Sequence, residues 1–280
     1  MKRVLAAAAF LVGFSLSGLA HADTVLITGS NRGLGFQFAK QYAERGYTVI
    51  ATARSPKDDV ELKALAAIHK NVVIEELDVL DEAELKGLSA KYKSTPIDIL
   101  INNAGVLGSG SFAEPDKDEF TRVMAVNVFG VLAVSEAFRE NVAVSKQKKI
   151  ISLTSPAGTF NISSLFVNGK MAGLPVPGKE AKPAERDVEV AEGGGFYYGL
   201  SKVAMNLAMQ KIRNQVRSEG IVVGLIAPNA VDTDMLTELG YDGAKTTAAD
   251  AIASFIKIID GMTLENANRP IIQDGTILDW

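Results

Sequence analysis

The sequence predicts an α/β fold, a three-layer doubly wound parallel sheet in a single domain. Three observations carry this expectation. Short apolar runs alternate with helix-length stretches along most of the chain, the pattern of a parallel sheet covered on both faces. A glycine-rich loop, Gly29 to Gly35, separates the first apolar run from the first helical stretch. The segments with chemical potential follow apolar runs at their carboxyl ends, where ligands bind in open sheets of this kind.

The elements follow in order. Thr24 to Thr28 is a short apolar run and reads as a buried strand, and the glycine loop leads into a helical pattern from Phe36 to Arg45. Gly46 stops that helix, and Tyr47 to Thr52 is the next strand. A polar helix covers Asp59 to His69, a strand Asn71 to Glu76, a helix Asp81 to Tyr92 and a fourth strand Ile97 to Ile101, which ends in Asn102-Asn103-Ala104-Gly105. A long helix spans Asp118 to Asn141. Its centre is apolar from Val123 to Val134 apart from Asn127, which predicts a buried core helix too short in its apolar part to span a bilayer. Lys149 to Leu153 is a fifth strand, Phe196 to Gly220 a helix, Ile221 to Ile226 a sixth strand, Thr246 to Ile259 a further helix and Pro270 to Ile272 a last short strand. The stretch Ser163 to Gly195, rich in Gly, Pro and mixed charge, is irregular and is expected to act as an insertion covering a site.

Composition narrows the function. With 280 residues the chain can bury a sizeable core, and 47% hydrophobic against 22% charged residues marks it as globular. A net charge of −4 without a basic stretch gives no sign of a nucleic-acid surface, and no nucleic-acid partner is expected. There is no cysteine, and imidazole is limited to His21 and His69, so no thiolate site exists and neither metal chemistry nor a Ser-His-Asp triad is favoured. The expectation is a protein without metal. Residues 1–22 read differently. Lys2 and Arg3 precede an uncharged, mostly apolar run from Val4 to Leu19, and Ala20-His21-Ala22 resembles a signal-peptidase site. This predicts a cleavable signal and a periplasmic or otherwise exported domain at 23–280 with no membrane span. An uncleaved tail or a mis-chosen start would instead leave the protein cytoplasmic.

The chemistry starts at Tyr198 and Lys202. Four residues apart on a helix, they share one face. An ammonium beside a phenol favours the phenolate, so Tyr198 is expected to be made acidic and to act as general acid or base on a carbonyl or alcohol. Ser155 follows the fifth strand, placing a hydroxyl where it would hold a substrate oxygen. Asn127 is a lone amide in an apolar helix and needs a water or backbone network. In the loop Gly29-Ser30-Asn31-Arg32-Gly33-Leu34-Gly35, small residues admit a pyrophosphate to the backbone and to a helix N-terminus. At the end of the second strand, Thr52-Ala53-Arg54 offers a guanidinium in place of an acid. Arg54 and Arg32 together suit a ribose 2′-phosphate, which favours NADP(H) over NAD(H).

In their order and spacing these residues resemble the short-chain dehydrogenase/reductase family, with its Rossmann-type fold. The matching pieces are Thr28 to Gly35, Asp78, Asn102 to Gly105, Asn127, Ser155, Tyr198 with Lys202, and Pro228 to Met235. The Asn31-Arg32 loop and the ending Asp274 to Trp280 are similar to the C-factor and carbonyl-reductase-like branch. The resemblance implies that Asp78 and Val79 lie near the adenine and that Asn103, Ala104 and Gly105 line the adenosine side. Ser155 would orient the carbonyl, and Tyr198 would donate the proton. Lys202 would bind the nicotinamide ribose, Asn127 would hold a water in the proton relay, and Pro228, Val231 and Thr233 would contact the carboxamide end of the nicotinamide. Two features depart from the family pattern. Pro228-Asn229 stands where Pro-Gly is usual, and the gap between Ser155 and Tyr198 is long. An insertion there can block a common oligomer interface, so the implied state is monomer or homodimer.

The expected function is an NADP(H)-dependent carbonyl reductase or alcohol dehydrogenase acting on a small-molecule carbonyl or alcohol. The alternative is a C-factor-type signalling or nucleotide-sensing protein that binds without turnover. A serine hydrolase lacks the Gly-x-Ser-x-Gly elbow.

Overall fold

The computed structural model describes residues 22–159, 166–167, 170–171, 195–241 and 244–279. The expected export signal lies outside these residues except for residue 22. Of the expected insertion at 163–195, only Gly195 and a short antiparallel pair, Phe166–Val167 (β6) with Lys170–Met171 (β7), are described.

Strands β1 (Thr24–Ile27), β2 (Thr48–Ala53), β3 (Val72–Glu76), β4 (Ile99–Asn102), β5 (Lys149–Leu153), β8 (Val222–Ala227) and β9 (Ile271–Ile272) form one sheet in the order β3-β2-β1-β4-β5-β8-β9. Every pairing in it is parallel. The central strands are apolar throughout because both sheet faces are covered. Successive residues serve opposite sides: Ile99 and Ile101 join one buried cluster and Leu100 the other. The described α-helices are α1 (Gly33–Glu44), α2 (Val60–Ile68), α3 (Glu82–Lys91), α4 (Lys117–Met124), α5 (Val131–Ala137), α6 (Arg139–Ala143), α7 (Phe196–Val216), α8 (Asp234–Glu238) and α9 (Ala248–Asp260). Strand order reverses between β1 and β4, so the chain leaves these two strands in opposite directions and opens a crevice at their carboxyl ends.

Most elements form where the side-chain pattern places them, and several starts are fixed by caps. Asp59, Asp81, Asp116 and Thr247 each accept backbone N–H bonds at the starts of α2, α3, α4 and α9. Two of the expected elements differ in extent. Helix α1 begins at Gly33, inside the glycine loop, rather than at Phe36. Glycine is a poor helix former, and the pattern hides a first turn built from it. The long helix is also not continuous. A π-helical segment, Ala125–Gly130, separates α4 from α5, and the helix breaks again at Phe138. Nor is it buried all round. Val123, Asn127, Gly130, Val131 and Val134 form the covered stripe, while Phe129 is 53% exposed. By length and composition Lys117–Ala137 would suffice to cross a membrane, but that covered stripe packs it against the rest of the domain.

The crevice depends on close backbone approach. A Cβ on Gly35 would collide with the Gly29 carbonyl and the Asn103 side-chain amide. Gly35→Ala is therefore expected to cost about 1–3 kcal/mol of stability, read as a lower urea midpoint. A wild-type midpoint would show that α1 does not press on the loop this closely.

Candidate active site

The glycine loop is held at both ends of the crevice. The Ser30 N–H donates to Thr52 O at 2.8 Å, which pins the loop beside the end of β2. The Thr28 hydroxyl accepts the N–H groups of Asn103 (3.1 Å) and Ala104 (3.0 Å), and the Asn103 side chain donates to Thr28 O and Gly29 O, both at 2.9 Å. Gly29 and Gly33 have φ of 66° and 56°, the left-handed region that a side chain disfavours. Helix α1 has no side-chain cap and no acid in its first turn, whereas α2, α3, α4 and α9 are capped by Asp or Thr. Its leading N–H groups are thus left for an anion.

The expected nucleotide-side residues divide. Asn31, Arg32 and Arg54 are exposed at the rim, while Leu34 packs against the core. Ser30 is fully buried, and its hydroxyl donates to Ile27 O at 2.9 Å. Its hydroxyl and its N–H are both bonded within the protein, which fixes the shape of the loop. The Asp78 carboxylate accepts from Leu80 N at 2.9 Å, and Val79 is buried against Gly130. On the other wall, Pro228 and Val231 follow β8. The Thr233 methyl stands 3.7 Å from where a Cβ on Gly33 would lie, so this segment runs from the sheet to the glycine loop.

Ser155, Tyr198 and Lys202 are brought together by the docking of α7 on the carboxyl end of β5. Ser155 opens a single turn of 3-10 helix, Pro156–Gly158, and its hydroxyl accepts from Ala157 N at 3.2 Å. The same hydroxyl stands beside the Tyr198 phenol and favours the phenolate. The Lys202 ammonium donates to Leu153 O at 2.7 Å and sits 5.3 Å from the centre of the Tyr198 ring. Gly158 permits the approach: a Cβ there would lie 2.7 Å from the Lys202 Cβ.

The electrostatics correct one expectation. Tyr198 is not made acidic by its neighbour. Burial pushes the phenol up to about 12, and the neighbouring Ser155 hydroxyl offsets only part of this. Burial also pushes Lys202 down to about 8, which weakens it as a fixed charge. The phenol is therefore protonated at neutral pH and stands ready to donate.

Asn127 is fully buried, with partners all in the protein. Its amide N–H groups donate to Val106 O (2.8 Å) and the Ser201 hydroxyl (2.9 Å), and its oxygen accepts from Val106 N (2.9 Å). This is the backbone network the sequence left open, and it ties the segment after β4 to α7. Gly105 lies at the same junction, where an added Cβ would come 3.3 Å from the Asn127 oxygen and 3.9 Å from the Lys202 ammonium.

Three residues escaped the sequence reading. Ser201 links Asn127 to the Tyr198 carbonyl, to which it donates at 2.7 Å. Asn206 accepts from the Thr154 hydroxyl (2.6 Å) and donates to Gly158 O (2.9 Å), clamping α7 onto the Ser155 loop. Asp234 forms an ion pair with Arg32 at 2.5 Å. The spacing of Asn206, four residues beyond Lys202 on the same face, was an available signal. Nothing local marks Asp234, which lies 202 residues from its partner.

The chain is similar to several known proteins. The C-signal of Myxococcus xanthus is 28% identical over 186 residues, covering 66% of this chain and 93% of its own. The 1-hydroxy-2-glutathionyl-2-methyl-3-butene dehydrogenase of Rhodococcus sp. (strain AD45) is 26% identical over 260 residues, covering 92% of this chain and 100% of its own. In fold the chain is similar to NADPH-bound carbonyl reductase from chicken fatty liver, with a TM-score of 0.77 at 24% identity over 93% of this chain and 100% of that one. A family model described as short chain dehydrogenase matches residues 23–168. That match spans more than half of the chain and includes the glycine loop, Asn127 and Ser155, so the protein belongs to the short-chain dehydrogenase family of oxidoreductases.

Proposed function

We propose that this protein is an NADP(H)-dependent carbonyl reductase or alcohol dehydrogenase acting on a ketone, aldehyde or secondary alcohol. One observation carries the reading: the Tyr198 phenol stands beside Ser155, with the Lys202 ammonium one turn on and 5.3 Å from the ring centre, at the carboxyl end of the sheet. Donors placed where charge develops on a substrate oxygen are what carbonyl reduction requires.

The residues present fit a dinucleotide. The uncapped start of α1 and the left-handed Gly29 and Gly33 form a cradle for a pyrophosphate. Arg54 is exposed immediately past β2, where an acid would suit NAD(H) and a guanidinium suits a 2′-phosphate. Asn103, Ala104 and Gly105 follow β4, and Pro228, Val231 and Thr233 follow β8, so these segments would flank a bound dinucleotide on its two sides. When bound, the nicotinamide supplies or accepts the hydride.

Tyr198 Oη gives its proton to the substrate oxygen, and the Ser155 hydroxyl orients that oxygen by a second hydrogen bond. Lys202 holds a positive charge beside the phenol as it becomes phenolate. Below about pH 8 the amine is largely protonated and can serve this role. Its lowered pKa also makes it a ready proton source once Tyr198 has donated. Asn127 keeps the loop after β4 and helix α7 in register. The likeness to the C-signal supports a second reading, a nucleotide-binding signalling protein without turnover. NADPH bound stoichiometrically yet unconsumed across a carbonyl panel would favour it.

Tyr198→Phe is expected to lower kcat by about 10²–10⁴-fold while NADPH binding persists. Turnover close to wild type would remove Tyr198 as the acid. Arg54→Asp is expected to shift kcat/KM toward NADH by about tenfold or more, as a charge-assisted bond to the 2′-phosphate is lost; an unaltered nucleotide preference contradicts this. Lys202→Met is expected to abolish turnover and to change the pH dependence of stability. The folded-state pKa of Lys202 is depressed from 10.5 to about 8. The penalty for its buried charge is therefore full below about pH 8 and fades toward pH 10.5. Thermal melts should show the stability of Lys202→Met relative to wild type highest below pH 8 and declining above it. A pH-independent difference would mean that Lys202 is not buried as a charge.

A further inference from the structure

The Arg32–Asp234 ion pair joins the two walls of the crevice. Arg32 belongs to the glycine loop and is the residue just before α1, and Asp234 is the first residue of α8, beyond β8. Both side chains are about two-thirds exposed, at 65% and 67%, so the pair lies at the mouth of the crevice. The Thr233 methyl lies 3.7 Å from where a Cβ on Gly33 would stand, so Asp234, the next residue, starts beside the loop. On the other side the Ser30–Thr52 bond pins the same loop beside the end of β2. Arg32 lies two residues past Ser30, and Arg54 two residues past Thr52, so both arginines leave the same pinned point. Arg32 thus has two alternative anionic partners: the Asp234 carboxylate across the crevice, or an anion shared with Arg54.

We infer that Asp234 is a specificity-determining residue that competes with the ribose 2′-phosphate for Arg32. This rests on the NADP(H) reading above. An exposed ion pair contributes little to stability, so a ligand can displace it. A phosphomonoester carries nearly two charges at neutral pH and accepts several charge-assisted bonds, so it outcompetes a single carboxylate. A nucleotide lacking that phosphate leaves Arg32 on Asp234 and the strap across the mouth closed. Asp234 therefore weakens binding of the phosphorylated nucleotide only, and exchange of Arg32 between the two partners couples its arrival to release of α8 from the glycine loop.

The test is calorimetric titration of the full chain with 2′,5′-ADP and with 5′-ADP, fragments that bind without any redox step. Asp234→Asn is expected to tighten 2′,5′-ADP about two- to fivefold and to leave 5′-ADP unchanged. Asp232→Asn removes an equal charge two residues away, from a side chain that faces Lys245, and is expected to change neither. In an Arg32→Ala background, Asp234→Asn is expected to have no effect. The inference is overturned if Asp234→Asn leaves 2′,5′-ADP unchanged, if it tightens both fragments alike, if Asp232→Asn matches it, or if its effect survives loss of Arg32. Failure of the wild-type chain to prefer 2′,5′-ADP over 5′-ADP is a separate outcome. It removes the NADP(H) reading itself, and the inference with it.

Discussion

The arrangement depends on one docking constraint, the seating of helix α7 on the carboxyl end of β5. Lys202 donates to Leu153 O, and one turn on Asn206 bridges the Thr154 hydroxyl and Gly158 O. These bonds are buried, so their geometry is tightly held: an unmade bond here would cost more than a made one contributes. Gly158 completes the fit by having no side chain between the loop and the helix. Tyr198 lies one turn before Lys202 and inherits its position beside Ser155 from this clamp.

A second set of bonds sets the height of α7 against the crevice. Asn127 joins the Val106 backbone to Ser201, and Ser201 in turn donates to the Tyr198 carbonyl. The π-helical segment around Asn127 belongs to this join. Such bulges interrupt helices where a side chain must be re-aimed, and they recur at functional sites. Gly130, at the end of the segment, lets the helix come within 2.7 Å of the Val79 side chain as measured from an added Cβ. The nucleotide side and the hydroxyl side of the site are thereby linked through polar groups hidden from water.

Burial decides the charge states more than proximity does. A phenol and an amine four residues apart invite the expectation of mutual stabilisation as an ion pair. Within the fold each is desolvated, and desolvation moves the two pKa values toward their neutral forms. A protonated phenol beside a weakly held ammonium is the state from which a carbonyl oxygen can be protonated.

Much of the fold and several site residues are legible without coordinates. Parallel strands buried on both faces read as apolar runs, and the glycine loop, Ser155, Tyr198 and Lys202 are marked by residue types at short, regular spacings. These are local features, set by steric and periodic rules that act over a few residues. What the chain order does not show are the joins between distant segments. The Asn206 clamp, the Asn127–Val106 bonds, the inward turn of Ser30, the break in the long helix and the Arg32–Asp234 pair each unite residues chosen by packing. Each polar group there takes the partner that burial leaves within reach. That partner, and the desolvation that comes with it, exist only once the sheet and its helices have closed.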